Sequence, residues 1–97
     1  MDYVLPIGSV INVCGIDKRV MIAGVRQVEV GTDKTWDYCG CIYPTGIINP
    51  HEMVLFDQIH IESLYFLGFR DGEGLLFNRK LLETGEMPSP NKTGAGD

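Results

Sequence analysis

RVMIAGVRQVEVGTDKTWDYCGCIY, residues 19–43, holds two strand-like runs on either side of a turn, and its reading decides the fold. The first run, 19–30, is rich in β-branched residues and alternates over VRQVEV, the period-2 pattern of a half-buried strand. Gly24 interrupts it, and a glycine inside a strand marks a bulge or a tight bend. GTDK (31–34) is turn chemistry, and TWDYCGCIY (35–43) is a second strand, closed by Pro44 and Gly46. The two runs form an antiparallel hairpin.

Working outward, SVINVC (9–14) reads as a strand before the hairpin, which makes the first three strands a meander. MVLFD (53–57) is a fourth, short strand; Asp57 is placed to cap a helical turn over QIHI; SLYFLGF (63–69) is a fifth strand ending at Asp71-Gly72. EGLLFNRKLLETG, 73–85, carries Leu75, Leu76, Phe77, Leu81 and Leu82, an acid at its start, Arg79 and Lys80 late, and Gly85 after the last apolar residue. That is a helix of about three turns with a C-capping glycine. MPSPNKTGAGD, 87–97, has almost nothing to bury and is expected to be a disordered tail behind one globular domain, 1–86. The expected fold is mainly β, a bent antiparallel sheet or small SH3-like barrel of four to five strands with one C-terminal helix covering an open end of the core. An α+β sandwich is the second choice.

A chain of 97 residues, 44% of them hydrophobic, holds one modest core. Charged or polar residues interrupt every hydrophobic stretch well short of the ~20 residues a membrane-spanning helix requires, so membrane insertion is not expected. The start MDYVLPIGS lacks the basic region of a secretory signal, and three cysteines are too few for a disulfide scaffold; both point to the cytoplasm. Thirteen acidic residues against eight scattered basic ones give a formal charge of −5, which argues against nucleic acid as a partner.

Cys39 and Cys41 are the residues nearest to chemistry. On a strand they share one face with Tyr43, while Tyr38, Gly40 and Ile42 share the other. Same-face neighbours lie roughly 6.5–7 Å apart, at or beyond the ~6.8 Å that a disulfide tolerates between Cα atoms, so a relaxed bridge does not form. A zinc site would need two more ligands, and Cys14, His51 and His60 offer no paired spacing such as CxxC or HxxxH. Free cysteine is among the most buried residue types, and packing is the favoured reading, with Gly40 admitting a close neighbour between the two thiols. Neither histidine has a nucleophile at a recognisable spacing, and DGEG (71–74) lacks the GK[ST] of a phosphate loop and reads as a turn. No catalytic residue, metal ligand or cofactor site is expected.

LPIGSV (5–10), VMIAGV (20–25), WDYCGCIYPTG (36–46), the spacing from Phe56 to Ile61, and Phe66, Gly68 and Phe69 occur in that order. Together they resemble a family of short Gram-positive bacterial proteins of unknown function, encoded beside type VII (ESX-like) secretion genes and their LXG toxins. The resemblance covers about residues 5–84. It implies a cytosolic chaperone or targeting adaptor that holds a toxin's export domain until the secretion machine receives it. A toxin immunity protein is the alternative from the same gene neighbourhood, although scattered charge does not supply the dense charged face such proteins present. A thiol or metal-dependent enzyme using Cys39, Cys41 and a histidine is the alternative from another class. Short strands leave sheet edges for a partner, and Trp36, Tyr38, Tyr43 and Tyr65 are the candidate partner-binding aromatics, core packing being the competing role for each.

Overall fold

A computed structural model describes residues 3–84 of the 97-residue chain. In chain order it contains β1 (Val10–Val13), β2 (Val20–Val28), β3 (Thr35–Ile42), a 3₁₀ turn (Pro50–Glu52), β4 (Val54–Phe56), a second 3₁₀ turn (Gln58–His60), β5 (Ile61–Phe66) and α1 (Gly72–Thr84). The expected tail, 87–97, and the capping Gly85 lie outside the described residues. Close packing divides the chain into two units, one of residues 5–69 with the sheet, the other of residues 3–4 and 70–84 with the helix.

The expected hairpin forms. β2 and β3 pair antiparallel from Val20 opposite Ile42 to Val28 opposite Thr35, and the Glu29 N–H donates to the Lys34 carbonyl at 3.0 Å across the turn. A register shift between Ile22 and Gly24 is the bend that Gly24 signals; a Cβ there would meet Cys39 Sγ at 3.0 Å. A second irregularity has no sequence signal. Arg26 lies at φ +52°, the left-handed region that β-sheet residues rarely occupy, and its guanidinium reaches Asp37 on β3 at 3.5 Å.

The sheet is antiparallel throughout, in the order β4-β3-β2-β1-β5, so four strands meander and β5 returns to the far side of β1. Mainly β architecture with one C-terminal helix matches the sequence reading. β5 itself shifts: it is expected over 63–69 and spans 61–66. The chain beyond it leaves the sheet because Gly68 is tied to the first turn of the chain, its N–H donating to the buried Ser9 Oγ at 2.9 Å.

The core face carries Ile11 from β1, Val20, Ile22 and Val25 from β2, Tyr38 from β3 and Phe56 from β4, all buried. Each aliphatic or aromatic side chain so placed contributes about 1.5–3 kcal/mol relative to exposure. Tyr38 lies opposite both Val25 and Phe56, and its ring stacks on Phe56 with centroids 5.4 Å apart. The turn over 58–60 is capped as expected: Asp57 and His60 form a capping box, the Asp57 N–H donating to His60 Nδ1 at 3.0 Å. Asp57 Oδ1 accepts from the Asp37 N–H, and Asp37 Oδ2 from the Gln58 N–H, both at 2.9 Å, which fastens the turn to β3.

In the helical unit, Asp71 Oδ1 accepts the Gly74 N–H at 2.9 Å, so DGEG is an N-cap and first helical turn rather than a free turn. Glu73 there favours the helix dipole, and Asn78 Nδ2 donates to the Val4 carbonyl at 3.3 Å. No helix among the described residues is long and apolar enough to cross a membrane.

Candidate functional site

Two of the four candidate aromatics come together. The Arg19 carbonyl accepts the Tyr43 N–H at 2.8 Å, which sets Tyr43 beside the start of β2. On β5, Leu64 faces Ile11 and Phe66 faces Val10, leaving Tyr65 as the extra residue of a bulge. The bulge turns Tyr65 toward Arg19, whose guanidinium carbon lies 4.5 Å from the ring centroid. Between the two tyrosines opens a cleft of about 410 Å³, walled further by Asn12, Asp17, Lys18 and Pro44. Tyr43 is 48% and Tyr65 54% exposed.

The other two aromatics do not join this cleft. Tyr38 is corrected from a partner-binding candidate to a core residue: it is fully buried, its hydroxyl donates to Gln58 Oε1 and accepts from the Leu5 N–H at 3.1 Å, and nothing of it reaches the surface. Trp36 is half-buried at the other end of the hairpin, its Nε1–H donating to Glu29 Oε1 at 3.1 Å, with Lys34 Nζ 4.4 Å from the ring centroid and His60 beside it. Its polar handle and one ring face are already engaged.

Arg19, Lys18 and Asn12 were not singled out from sequence, and the reason is physical. Their proximity to Tyr65 depends on β5 pairing with β1, a contact between segments about fifty residues apart. The one local signal is the adjacent basic pair Lys18-Arg19 just ahead of a strand.

Around the cleft, β5 and the chain after it expose Leu64, Tyr65, Phe66, Leu67 and Phe69, the last at 81%. This apolar run sits on an edge strand, yet β5 is a poor template for strand addition. A second bulge at Glu62 gives it two register breaks in six residues, and β4, at the opposite edge, has only three residues. Bulged and very short edge strands resist edge-to-edge pairing. The surface therefore offers side chains more than backbone.

Cys39 and Cys41 lie on one face as the alternation requires, Cys41 opposite Met21 and Cys39 opposite Gly24 and Leu55. All three cysteines are free: Cys14 exposed, Cys39 half-buried, Cys41 buried. Gly40 between them sits against backbone, since a Cβ would fall 2.7 Å from the Met21 carbonyl oxygen. Burial raises the Cys39 thiol above its ordinary 9.0, with a smaller contribution from Cys41 beside it. Cys14 should therefore alkylate first with iodoacetamide at neutral pH, as peptide mass spectrometry would show, and equal rates at all three would contradict the burial. A thiol with a raised folded pKa holds its proton more tightly when folded, so its stabilising contribution is complete below the unfolded value and is lost as pH rises. Above about pH 9 the protein should lose stability more steeply than Cys39→Ala, whereas near pH 7 the two should show the same pH slope in urea melts.

Among the described residues, no group of three or more His, Cys, Asp or Glu side chains is placed to hold a metal ion. His60 Nδ1 is engaged in the cap by the Asp57 N–H, the Asp57 carboxylate accepts from the Asp37 N–H and Lys34 Nζ, and His51 is exposed in its 3₁₀ turn.

The sheet and its cleft define a small open antiparallel β domain that presents an aromatic and cationic surface. Residues 4–77 match the family described as a domain of unknown function, DUF4176, and the chain belongs to that family. No curated protein and no solved structure matches it.

Proposed function

We propose that this protein is a non-enzymatic, cytosolic protein-binding factor, a chaperone or targeting adaptor for the export domain of a type VII-secreted LXG toxin. The observation that carries the binding role is the exposed run Leu64 to Phe69 beside the Tyr43–Tyr65 cleft. Four of its six residues, Leu64, Tyr65, Phe66 and Phe69, are large apolar side chains between 48% and 81% exposed. Monomeric proteins rarely leave contiguous apolar surface in water, and aromatics with arginine are the composition of interface hot spots. The secretion role is supported by the sequence resemblance, which belongs with an apolar surface able to shield an aggregation-prone client.

Co-expression with the export domain of an LXG toxin is the test. The export domain should pass from the insoluble to the soluble fraction and co-purify. Because a largely apolar contact is insensitive to screening, the complex should persist in molar salt, whereas an immunity-type contact steered by charge should form more slowly as ionic strength rises. Deletion of the gene with no effect on export-domain solubility or secretion, together with neutralisation of the toxin by the purified protein, would replace the chaperone reading with the immunity one.

A further inference from the structure

We propose that the Tyr43–Tyr65 cleft receives an acidic side chain of the bound protein, carried on a segment whose flanking apolar residues lie against Tyr65 and Phe66. The proposal rests on the protein-binding reading above and specifies its chemistry. Charge complementarity is the basis. The chain as a whole is acidic, at −5, yet this cleft brings two bases, Lys18 and Arg19, against one lining acid, Asp17. Glu62, the carboxylate that β5 carries, already accepts from Asn12 Nδ2 at 3.3 Å. The two ion pairs among the described residues use Arg26 and Lys34, and neither Lys18 nor Arg19 forms one there.

The placement of Arg19 favours a carboxylate. Its guanidinium lies over the Tyr65 ring, a contact that uses the ring face and leaves the N–H fork to a planar, bidentate acceptor. The cleft volume, about 410 Å³, admits one side chain of glutamate size. A phosphate would bring a second negative charge against Asp17, which a singly charged carboxylate does not. The mode is side-chain capture because the two bulges of β5 break the regular ladder that an added strand would need. Apolar contacts then supply affinity, and the acidic residue sets register and orientation, the usual division of labour at an interface.

The test uses the ¹⁵N-labelled full chain and three blocked synthetic pentapeptides that differ only at the centre: Leu-Phe-Glu-Phe-Leu, its Gln counterpart and its Lys counterpart. In NMR titrations at low salt, the Glu peptide should shift the amides of Lys18, Arg19, Tyr43 and Tyr65. It should bind at least tenfold more tightly than the Gln peptide, with the Lys peptide weakest. Arg19→Gln should erase the difference between the Glu and Gln peptides, while Arg79→Gln on α1 should leave it unchanged. Equal binding of all three peptides, shifts confined to other residues, no binding at all, or an undisturbed Glu preference in Arg19→Gln would overturn the proposal. Peptide recognition without capture of any export domain would leave the cleft assignment standing and remove the secretion role. Capture of an export domain that survives Arg19→Glu undiminished would do the reverse.

Discussion

Tyr38→Ala is expected to lower the melting temperature by about 12 °C or more, since a fully buried aromatic truncated to alanine costs roughly 3–5 kcal/mol and each kcal/mol moves a domain of this size by about 4–8 °C. That is a large share of the ~5–15 kcal/mol by which domains are stable. The loss has two sources that a second variant separates. Tyr38→Phe keeps the ring stacked on Phe56 but removes the hydroxyl that accepts from Leu5 and donates to Gln58. It should cost only about 1–3 kcal/mol, the penalty for leaving a buried donor unpaired. Thermal melts followed by circular dichroism give both numbers. A Tyr38→Ala protein melting within a few degrees of wild type would mean that this side chain is not where the core closes.

Gly68→Ala is the second large effect. A Cβ at Gly68 would sit 2.3 Å from the Ile7 carbonyl oxygen and 2.9 Å from the Ser9 nitrogen, both backbone atoms that no rotamer change can move aside. Accommodating the methyl would separate the segment after β5 from the segment before β1 and strain the Gly68 to Ser9 Oγ hydrogen bond, which is buried. A cost of at least 2–3 kcal/mol is expected, on the order of overpacking plus a weakened buried hydrogen bond. Gly40→Ala meets the same obstacle in Val20 Cγ1 at 2.6 Å and the Met21 carbonyl oxygen at 2.7 Å. Gly72, with nothing within 4 Å of its Cβ position, is the internal control: Gly72→Ala at the start of α1 should be neutral or stabilise by up to ~1 kcal/mol. If Gly68→Ala and Gly72→Ala melted together, the close approach at Gly68 would be wrong.

The sequence by itself determined the elements. Alternation and β-branching defined β2 and β3, GTDK defined their turn, Gly24 the bend, Asp57 the cap and the leucine spacing the helix, because each depends on dihedral preferences and neighbours a few residues away. Alternation also placed the two thiols on one face. The same alternation puts Trp36 and Tyr38 on one face and cannot rank them. Only the tertiary structure buries Tyr38, since β4 pairs with β3 from Tyr38 to Gly40 and stops short of Trp36. The left-handed Arg26, the bulges at Glu62 and Tyr65, and the partnership of β5 with β1 were likewise decided outside local sequence. The pairing of β5 with β1 goes with the burial of Ile11 and Val13 and with the hydrogen bond from Gly68 to Ser9, none of which is local in sequence. The cleft follows from that pairing: Arg19 and Tyr65 meet only because strands far apart in sequence lie side by side, so the cleft was invisible until the sheet order was known.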